Sequence, residues 1–237
     1  MADGNKIPRR VLHTSDFHLE TLNDRACHSL QALVGLVVKM KVDLVVIAGD
    51  LFDHNRVDNN LVSFVVEQLR RLPVDVVILP GNHDCLVPDS VYHRHELWKD
   101  IPNVRIIRDP QGETLDLPGA GIEVWGKPID SYDGGKIRPL DGVAQPRENG
   151  QWHIAVAHGY YVGDNFPVFP SLHISHQEIA TSCQDYVALG HYPVFRCVCS
   201  EPVKAYYSDS PSLHGAVTIV DFNEETGVQV NRHSLEL

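Results

Sequence analysis

The sequence predicts an α/β fold in which two packed β-sheets carry helices on their outer faces. Three observations lead there. Runs of β-branched apolar residues alternate with helix-period segments in the early part of the chain. Short strand-like runs dominate the remainder. Five apolar runs end in polar segments carrying Asp, Asn or His, and that strand-to-loop edge is where layered α/β folds gather ligand-binding side chains.

Taken in order, the first run leads into Asp16-Phe17-His18. Leu30, Leu33, Val34 and Val37 then recur at helical spacing before Lys41, predicting a helix. The run over 42–48 reads as a buried strand ending at Gly49-Asp50-Leu51-Phe52-Asp53. Leu61, Val65, Leu69 and Leu72 predict a second helix before Pro73, with Arg70-Arg71 placed to complement its C-terminal dipole. A strand over 74–79 ends at Gly81-Asn82-His83-Asp84. These helices would cover the first three strands as crossover connections. A third helix is expected over 90–98, followed by strands over 104–107, 122–125, 152–157, 186–189, 194–198 and 205–207. The strand over 152–157 leads to His158-Gly159, and that over 186–189 to Gly190-His191-Tyr192-Pro193. A hairpin of 217–222 with 228–231 turns around Glu224-Glu225-Thr226-Gly227, and no internal repeat is present. Of two long loops, 130–150 is rich in Gly, Pro and charge and is expected to be mobile. The other, 159–175, carries Tyr160, Tyr161, Phe166 and Phe169, which either wall a substrate pocket or cover the sheet.

Composition limits the function classes. With 237 residues, 43% of them hydrophobic, the chain is expected to form one domain over residues 1–237. No apolar run is long enough to span a bilayer, and Met1-Ala2-Asp3-Gly4-Asn5-Lys6 lacks a signal-peptide hydrophobic region, so a cytoplasmic protein with no membrane association is expected. The 5 cysteines are scattered. Cys197-x-Cys199 on a strand would point both thiols to one face without a second pair to complete a zinc site, so reduced, buried thiols are expected. A formal charge of -11 with no Lys/Arg cluster argues against a wide nucleic-acid footprint. Two divalent cations against Asp16 and Asp50 would nevertheless leave the immediate site positive and open to an anionic substrate.

Carboxylates, an amide and imidazoles together make a mixed oxygen and nitrogen shell, which suits manganese, iron or zinc better than calcium or magnesium. That donor set reads as a two-metal hydrolase. The five segments, in order, resemble the signature of the calcineurin-like metallophosphoesterases, from Val11 to about the end of the chain. The stretches Ile47-Ala48-Gly49-Asp50-Leu51-Phe52-Asp53, Leu79-Pro80-Gly81-Asn82-His83-Asp84, Asp185-Tyr186-Val187-Ala188-Leu189-Gly190-His191 and Tyr207-Ser208-Asp209-Ser210-Pro211 are most similar to the DNA double-strand-break repair exonuclease branch. The resemblance implies a four-layer αββα sandwich of two mixed β-sheets. It also implies two divalent ions, Mn2+ foremost with Fe2+ or Zn2+ as alternatives. By the same resemblance Asp16 and His18 hold the first ion, Asp50 bridges, and Asn82, His158 and His191 hold the second. The ions would activate a water and neutralise phosphate charge. His83 would protonate the leaving alkoxide as a general acid, with Asp84 and Asp53 orienting it or the ligands. His54, four residues after Asp50, is a further candidate for a phosphate or metal contact. The remaining histidines, His13, His28, His93, His95, His153, His173, His176, His214 and His233, are expected to be surface or structural.

One position departs from the family pattern: Pro193 stands where the motif Gly-His-x-His has its second histidine. The first ion is then left with Asp16, His18 and Asp50 and should bind more weakly, unless His54, Tyr192 or His214 fills in. The leading expectation is a metal-dependent phosphodiesterase acting on a phosphoester, of the exonuclease kind. Alternatives are a phosphatase or phosphodiesterase for small nucleotides or other small phosphoesters, and a binding scaffold without turnover. Neither the capping region nor the ATPase-partner-binding extension of the repair branch is evident, and no protein partner is specified.

Overall fold

The computed structural model describes residues 6–133, 137–147, 149–163 and 172–237. In chain order these form β1 (Arg9–Thr14), α1 (Arg25–Met40), β2 (Leu44–Ala48), α2 (Asn59–Arg70), β3 (Asp75–Leu79), a 3-10 turn (Val91–His93), α3 (His95–Trp98), β4 (Val104–Ile106), β5 (Glu113–Leu117), β6 (Ile122–Gly126) and β7 (Trp152–His158). There follow β8 (Tyr160–Tyr161), β9 (His173–Ile174), α4 (His176–Ala180), β10 (Tyr186–Gly190), β11 (Phe195–Cys199), β12 (Lys204–Ser208), α5 (Pro211–His214), β13 (Ala216–Phe222) and β14 (Gln229–Ser234).

Two six-stranded sheets result, ordered β14-β13-β1-β2-β3-β4 and β11-β12-β10-β7-β6-β5. Both are mixed. β1 to β4 run parallel in the first, and β6, β7, β10 and β12 in the second, while antiparallel strands complete the edges. Alternation along β2 sets the layers: Leu44, Val46 and Ala48 pack against Ile154, Val156, Tyr186 and Ala188 of the second sheet. Val45 and Ile47 point the other way, into a cluster with Leu30, Leu33, Leu61 and Val65 of α1 and α2. The far face of the second sheet is covered by Ile174, Leu140 and Ile179 of α4. This is the expected αββα sandwich, with a thin last layer.

The two long helices lie where their periodicity predicts and are bounded by side-chain caps. Asp24 accepts the Cys27 N–H at 2.8 Å, and Asp58 accepts that of Asn60 at 2.7 Å. The third expected helix is split. Arg94 leaves helical geometry at φ −75°, ψ 70°, separating the 3-10 turn from α3. Its guanidinium is drawn instead to the carbonyls of Asn55, at 2.6 Å, and Val57, at 2.7 Å. β5 escapes the sequence reading because its alternation Glu-Thr-Leu-Asp-Leu is that of an edge strand with little apolar content. The expected same-face pair of thiols is also overturned. Cys197 lies opposite Tyr206 and Cys199 opposite Ala205, so Val198 is an extra residue in a β-bulge. Cys199 is buried while Cys197 is exposed, as is Cys183.

Candidate metal centre

The polar segments after β1, β2, β3, β7 and β10 meet at one edge of the sandwich. Beyond β1 and β2 the chain continues in register: Asp16 N–H donates to Gly49 O at 3.1 Å, His18 N–H to Asp50 O at 3.1 Å, and Asp53 N–H to Leu19 O at 3.1 Å. Fitting side chains into so narrow an edge bends the backbone. Asp16 (φ 54°), His18 (φ 51°), Asp50 (φ 52°) and His191 (φ 97°) all adopt left-handed conformations, a strain that persists only where the surroundings over-determine it. Two glycines permit the approach. A β-carbon on Gly81 would lie 2.1 Å from Asp50 Oδ1, and one on Gly190 would lie 1.8 Å from Ala48 O.

Around Asp50 the acceptors crowd one another. Asp50 Oδ2 is 3.1 Å from His158 Nε2, and Asn82 Oδ1 is 3.0 Å from the same nitrogen and 2.8 Å from His191 Nδ1. His191 Nδ1 and His158 Nε2 are 3.2 Å apart. Because His158 Nδ1 donates to Ala48 O at 2.8 Å, its Nε2 in the neutral ring presents a lone pair to these acceptors. Such an arrangement demands a positive charge. Burial works to lower the His158 pKa, but Asp50 and Asp16 outweigh it and push the ring up to about 9. His191 is pushed down to about 3 by burial and then by the charge on His158. Asp50 is held well below the usual carboxylate range; burial opposes its charge, but His158 and the His83 N–H outweigh that. A divalent cation shared by Asp50, Asn82, His158 and His191 would satisfy all four groups, so the donor set fits a metal ion.

Asp16, His18 and Asp50 form the adjoining group. His18 Nε2 lies 4.0 Å from Asp16 Oδ1 and 3.9 Å from Asp50 Oδ2, while its Nδ1 is 3.0 Å from Asp53 Oδ1. Asp53 thus lies on the far nitrogen of His18, where an outer carboxylate would orient the ring. His83 sits against this group with its ring 4.6 Å from that of His18. Its Nδ1 is 2.8 Å from the carbonyl of Asp53. With its side chain 42% exposed, His83 is accessible from solvent. Asp84, expected to orient His83 or the metal-binding side chains, makes its contacts at the back of the turn. Its carboxylate accepts from Gly81 N–H at 2.7 Å, Phe52 N–H at 3.1 Å and Tyr92 O–H at 2.6 Å. Burial and the charge of Asp50 push it up to about 6. It is a positioning residue that ties the Gly-Asn-His turn to the loop after β2.

Neither His54 nor His214 joins the Asp16 group among the described residues. His54 falls in a separate group with Glu20 and Asp53, and His214 Nδ1 is bound to Asp209. Tyr192, the third candidate to fill in for Pro193, packs against the ring of Tyr207 at 5.8 Å. The aromatic loop divides: the Tyr160 ring is 4.0 Å from that of His191, Tyr161 packs on the outer core of the second sheet, and Phe166 and Phe169 lie outside the described residues. His13 is structural, buried beside Tyr186 OH at 3.0 Å and pushed down to about 3 by burial. Sequence reasoning missed Tyr92, Ser15, Ser208 and Ser210, which contact the polar segments from behind. For Ser208 and Ser210 alone there was a pointer, the resemblance of residues 207–211 to the repair branch.

A family model described as calcineurin-like phosphoesterase matches residues 9–229. Among curated proteins, the chain is 23% identical over 228 residues to the uncharacterized metallophosphoesterase YhaO of Bacillus subtilis, covering 86% of this chain and 53% of that protein. It is 26% identical over 129 residues to the DNA double-strand break repair protein Mre11 of Saccharolobus solfataricus, covering 50% of this chain and 33% of the relative. The Mre11 protein of Methanopyrus kandleri is 32% identical over 108 residues, covering 39% and 24%. The chain therefore spans about half the length of the first of these relatives and less of the others. The solved structure of TT1561 of Thermus thermophilus superposes with a TM-score of 0.63 at 13% identity, covering 95% of this chain and 99% of that one.

Proposed function

The chain belongs to the calcineurin-like phosphoesterase family, and on that premise we propose that it hydrolyses phosphodiesters with the help of two divalent cations. The observation that carries this reading is the meeting of Asp50 Oδ2, Asn82 Oδ1, His158 Nε2 and His191 Nδ1 next to Asp16 and His18. Asp16 and His18 would hold one cation and Asn82, His158 and His191 the other, with Asp50 between them. Mn2+ suits the mixed donor set, with Fe2+ or Zn2+ as alternatives. When bound, such ions supply charge neutralisation and make a water available as hydroxide near neutral pH.

The remaining tasks fall to the chain. Asp50 is fixed by the His83 N–H at 3.0 Å on Oδ1, so one oxygen is held while the other faces the imidazoles. His83, anchored through Nδ1 to the Asp53 carbonyl, turns its Nε2 edge away from that anchor and would deliver a proton to the departing alkoxide. Tyr160, 45% exposed, sets its ring 4.0 Å from that of His191, a setting suited to a planar base or aryl leaving group. Similarity to the Mre11 proteins makes DNA the first substrate candidate. The net charge of -11 favours the second reading, a small nucleotide or other small phosphoester.

Hydrolysis of bis-p-nitrophenyl phosphate and p-nitrophenyl phosphate by metal-stripped protein, titrated with Mn2+, tests the proposal. Turnover that requires Mn2+, prefers the diester and falls by about 10²–10⁴-fold in His83→Ala is expected. Equal rates for wild type and variant would instead mark a binding scaffold. Short single-stranded DNA against mononucleotides, compared over a salt series, separates the two substrate readings: a steep salt dependence accompanies DNA.

A further inference from the structure

We infer that the buried serines Ser15, Ser208 and Ser210 are positioning residues that aim Asp16 at the first cation position. The inference rests on the reading above that Asp16 is a cation ligand. The two cation groups are unequal: the first has three side chains, Asp16, His18 and Asp50, one of them shared, whereas the second adds His158, His191 and Asn82 to Asp50. A site with few ligands depends most on how well each is held.

Asp16 is held from several directions. Ser15 Oγ donates to Asp16 Oδ2, and the His191 N–H reaches the same oxygen at 3.1 Å. That leaves Oδ1 as the oxygen turned to His18. A carboxylate only accepts, so the Ser15 proton is committed to Asp16, and the single Ser208 proton is shared between Ser15 Oγ and the Asp209 carbonyl, each 2.9 Å from Ser208 Oγ. Ser210 Oγ donates to the Asp16 carbonyl at 2.7 Å, fixing the main chain that carries the left-handed φ of 54°. All three serines are fully buried. They come from two parts of the fold: Ser15 follows β1, and Ser208 and Ser210 belong to the segment that joins β12 to α5. The segment that brings Ser208 and Ser210 is itself pinned. Thr218 Oγ1 donates to Ser208 O at 2.8 Å, and the Asp209 carboxylate takes Arg232 Nε at 2.7 Å and His214 Nδ1. Capping α5 does not account for this convergence, because only Ser210 serves that helix.

Removing a hydroxyl should therefore loosen the first cation and leave the second alone. Mn2+ binding to the metal-stripped full chain, followed by calorimetric titration with metal analysis, reads this without reference to turnover. Wild type is expected to show a tighter and a weaker class of site, the weaker abolished by Asp16→Asn. Ser208→Ala and Ser210→Ala should weaken only the weaker class, by about tenfold or more. Ser210→Thr, which keeps a hydroxyl, should restore it. Ser182→Ala, a buried hydroxyl bonded to Ile179 O far from the centre, should change neither class. Unchanged binding in both serine variants would overturn the inference while the cation reading stands. A loss of both classes in chelator-stable, folded Ser210→Thr would overturn it too, by showing a general structural role. Absence of Mn2+ binding to wild type, or indifference to Asp16→Asn, would defeat the cation reading itself and the inference with it.

Discussion

A left-handed backbone at a residue with a β-carbon costs about 1–2 kcal/mol, and four residues of the candidate centre accept it. The return is convergence: strand ends from two sheets bring their first polar residues within contact of one another. Gly81 is the joint that bears directly on the shared carboxylate. In Gly81→Ala the new β-carbon, 2.1 Å from Asp50 Oδ1 and 2.5 Å from Asp50 N, must push the shared carboxylate aside. A displacement of about 1 Å at a reacting centre costs about 10²-fold in rate. Mn2+-dependent turnover is expected to fall at least that far while far-UV circular dichroism stays native; unchanged turnover would show that Asp50 has room to move. At this scale the sequence was legible wherever a polar residue followed directly on an apolar run, as with Asp16, Asp50, Asn82, His158 and His191. Ser208 and Ser210 gave no such signal, because serine is ordinary in loops and their respective partners Ser15 and Asp16 lie far away in sequence.

Elements were legible in proportion to their length and to how far burial was one-sided. α1 and α2 show clean 3.6-residue spacing, and β2 and β3 are continuous apolar runs as strands covered on both faces require. Short pieces held by a side chain were not. α4 spans only His176–Ala180 yet supplies Ile179 to the outer core of the second sheet. It is secured by a capping box in which Ser175 Oγ accepts from Glu178 N–H at 3.2 Å and Glu178 Oε2 accepts from Ser175 N–H at 2.7 Å. Ser175→Ala removes half of that box and is expected to cost about 1 kcal/mol. The thermal midpoint should drop by about 2–4 °C in a chain of this size, with Mn2+ binding unaltered. The break at Arg94 belongs here too: Tyr92 is fully buried with its hydroxyl on Asp84, a tertiary demand that an unbroken helix over 90–98 did not foresee.

At the scale of the molecule, charge acts unevenly. Burial opposes the charge on Asp185, yet its bonds from His153 and Lys6 outweigh burial and lower its pKa. Lys6 Nζ reaches Asp185 at 2.8 Å, lies 4.6 Å from the centre of the Trp152 ring and carries a backbone N–H on Glu224 at 3.0 Å, so this cluster joins the two sheets. A depressed carboxylate stabilises the fold above its unfolded pKa of about 3.9 and loses that contribution as pH falls through its folded value. Asp185→Asn should therefore melt below wild type at pH 7, by about 1–3 kcal/mol, and the gap should close below about pH 4. A gap that persisted in acid would assign the loss to packing. Among the described residues no helix is long and apolar enough to cross a membrane. The sequence by itself determined the layer order and the kinds of ligand-bearing residue, because strand and helix periods are local and each ligand follows its own strand. Only the tertiary structure decided which atoms meet: Asp16 with His191 across 175 positions and with Ser210 across 194, Asp84 turned inward, and His54 and His214 directed elsewhere. Those outcomes depend on how two sheets pack and where their edges coincide, which no local pattern of residues encodes.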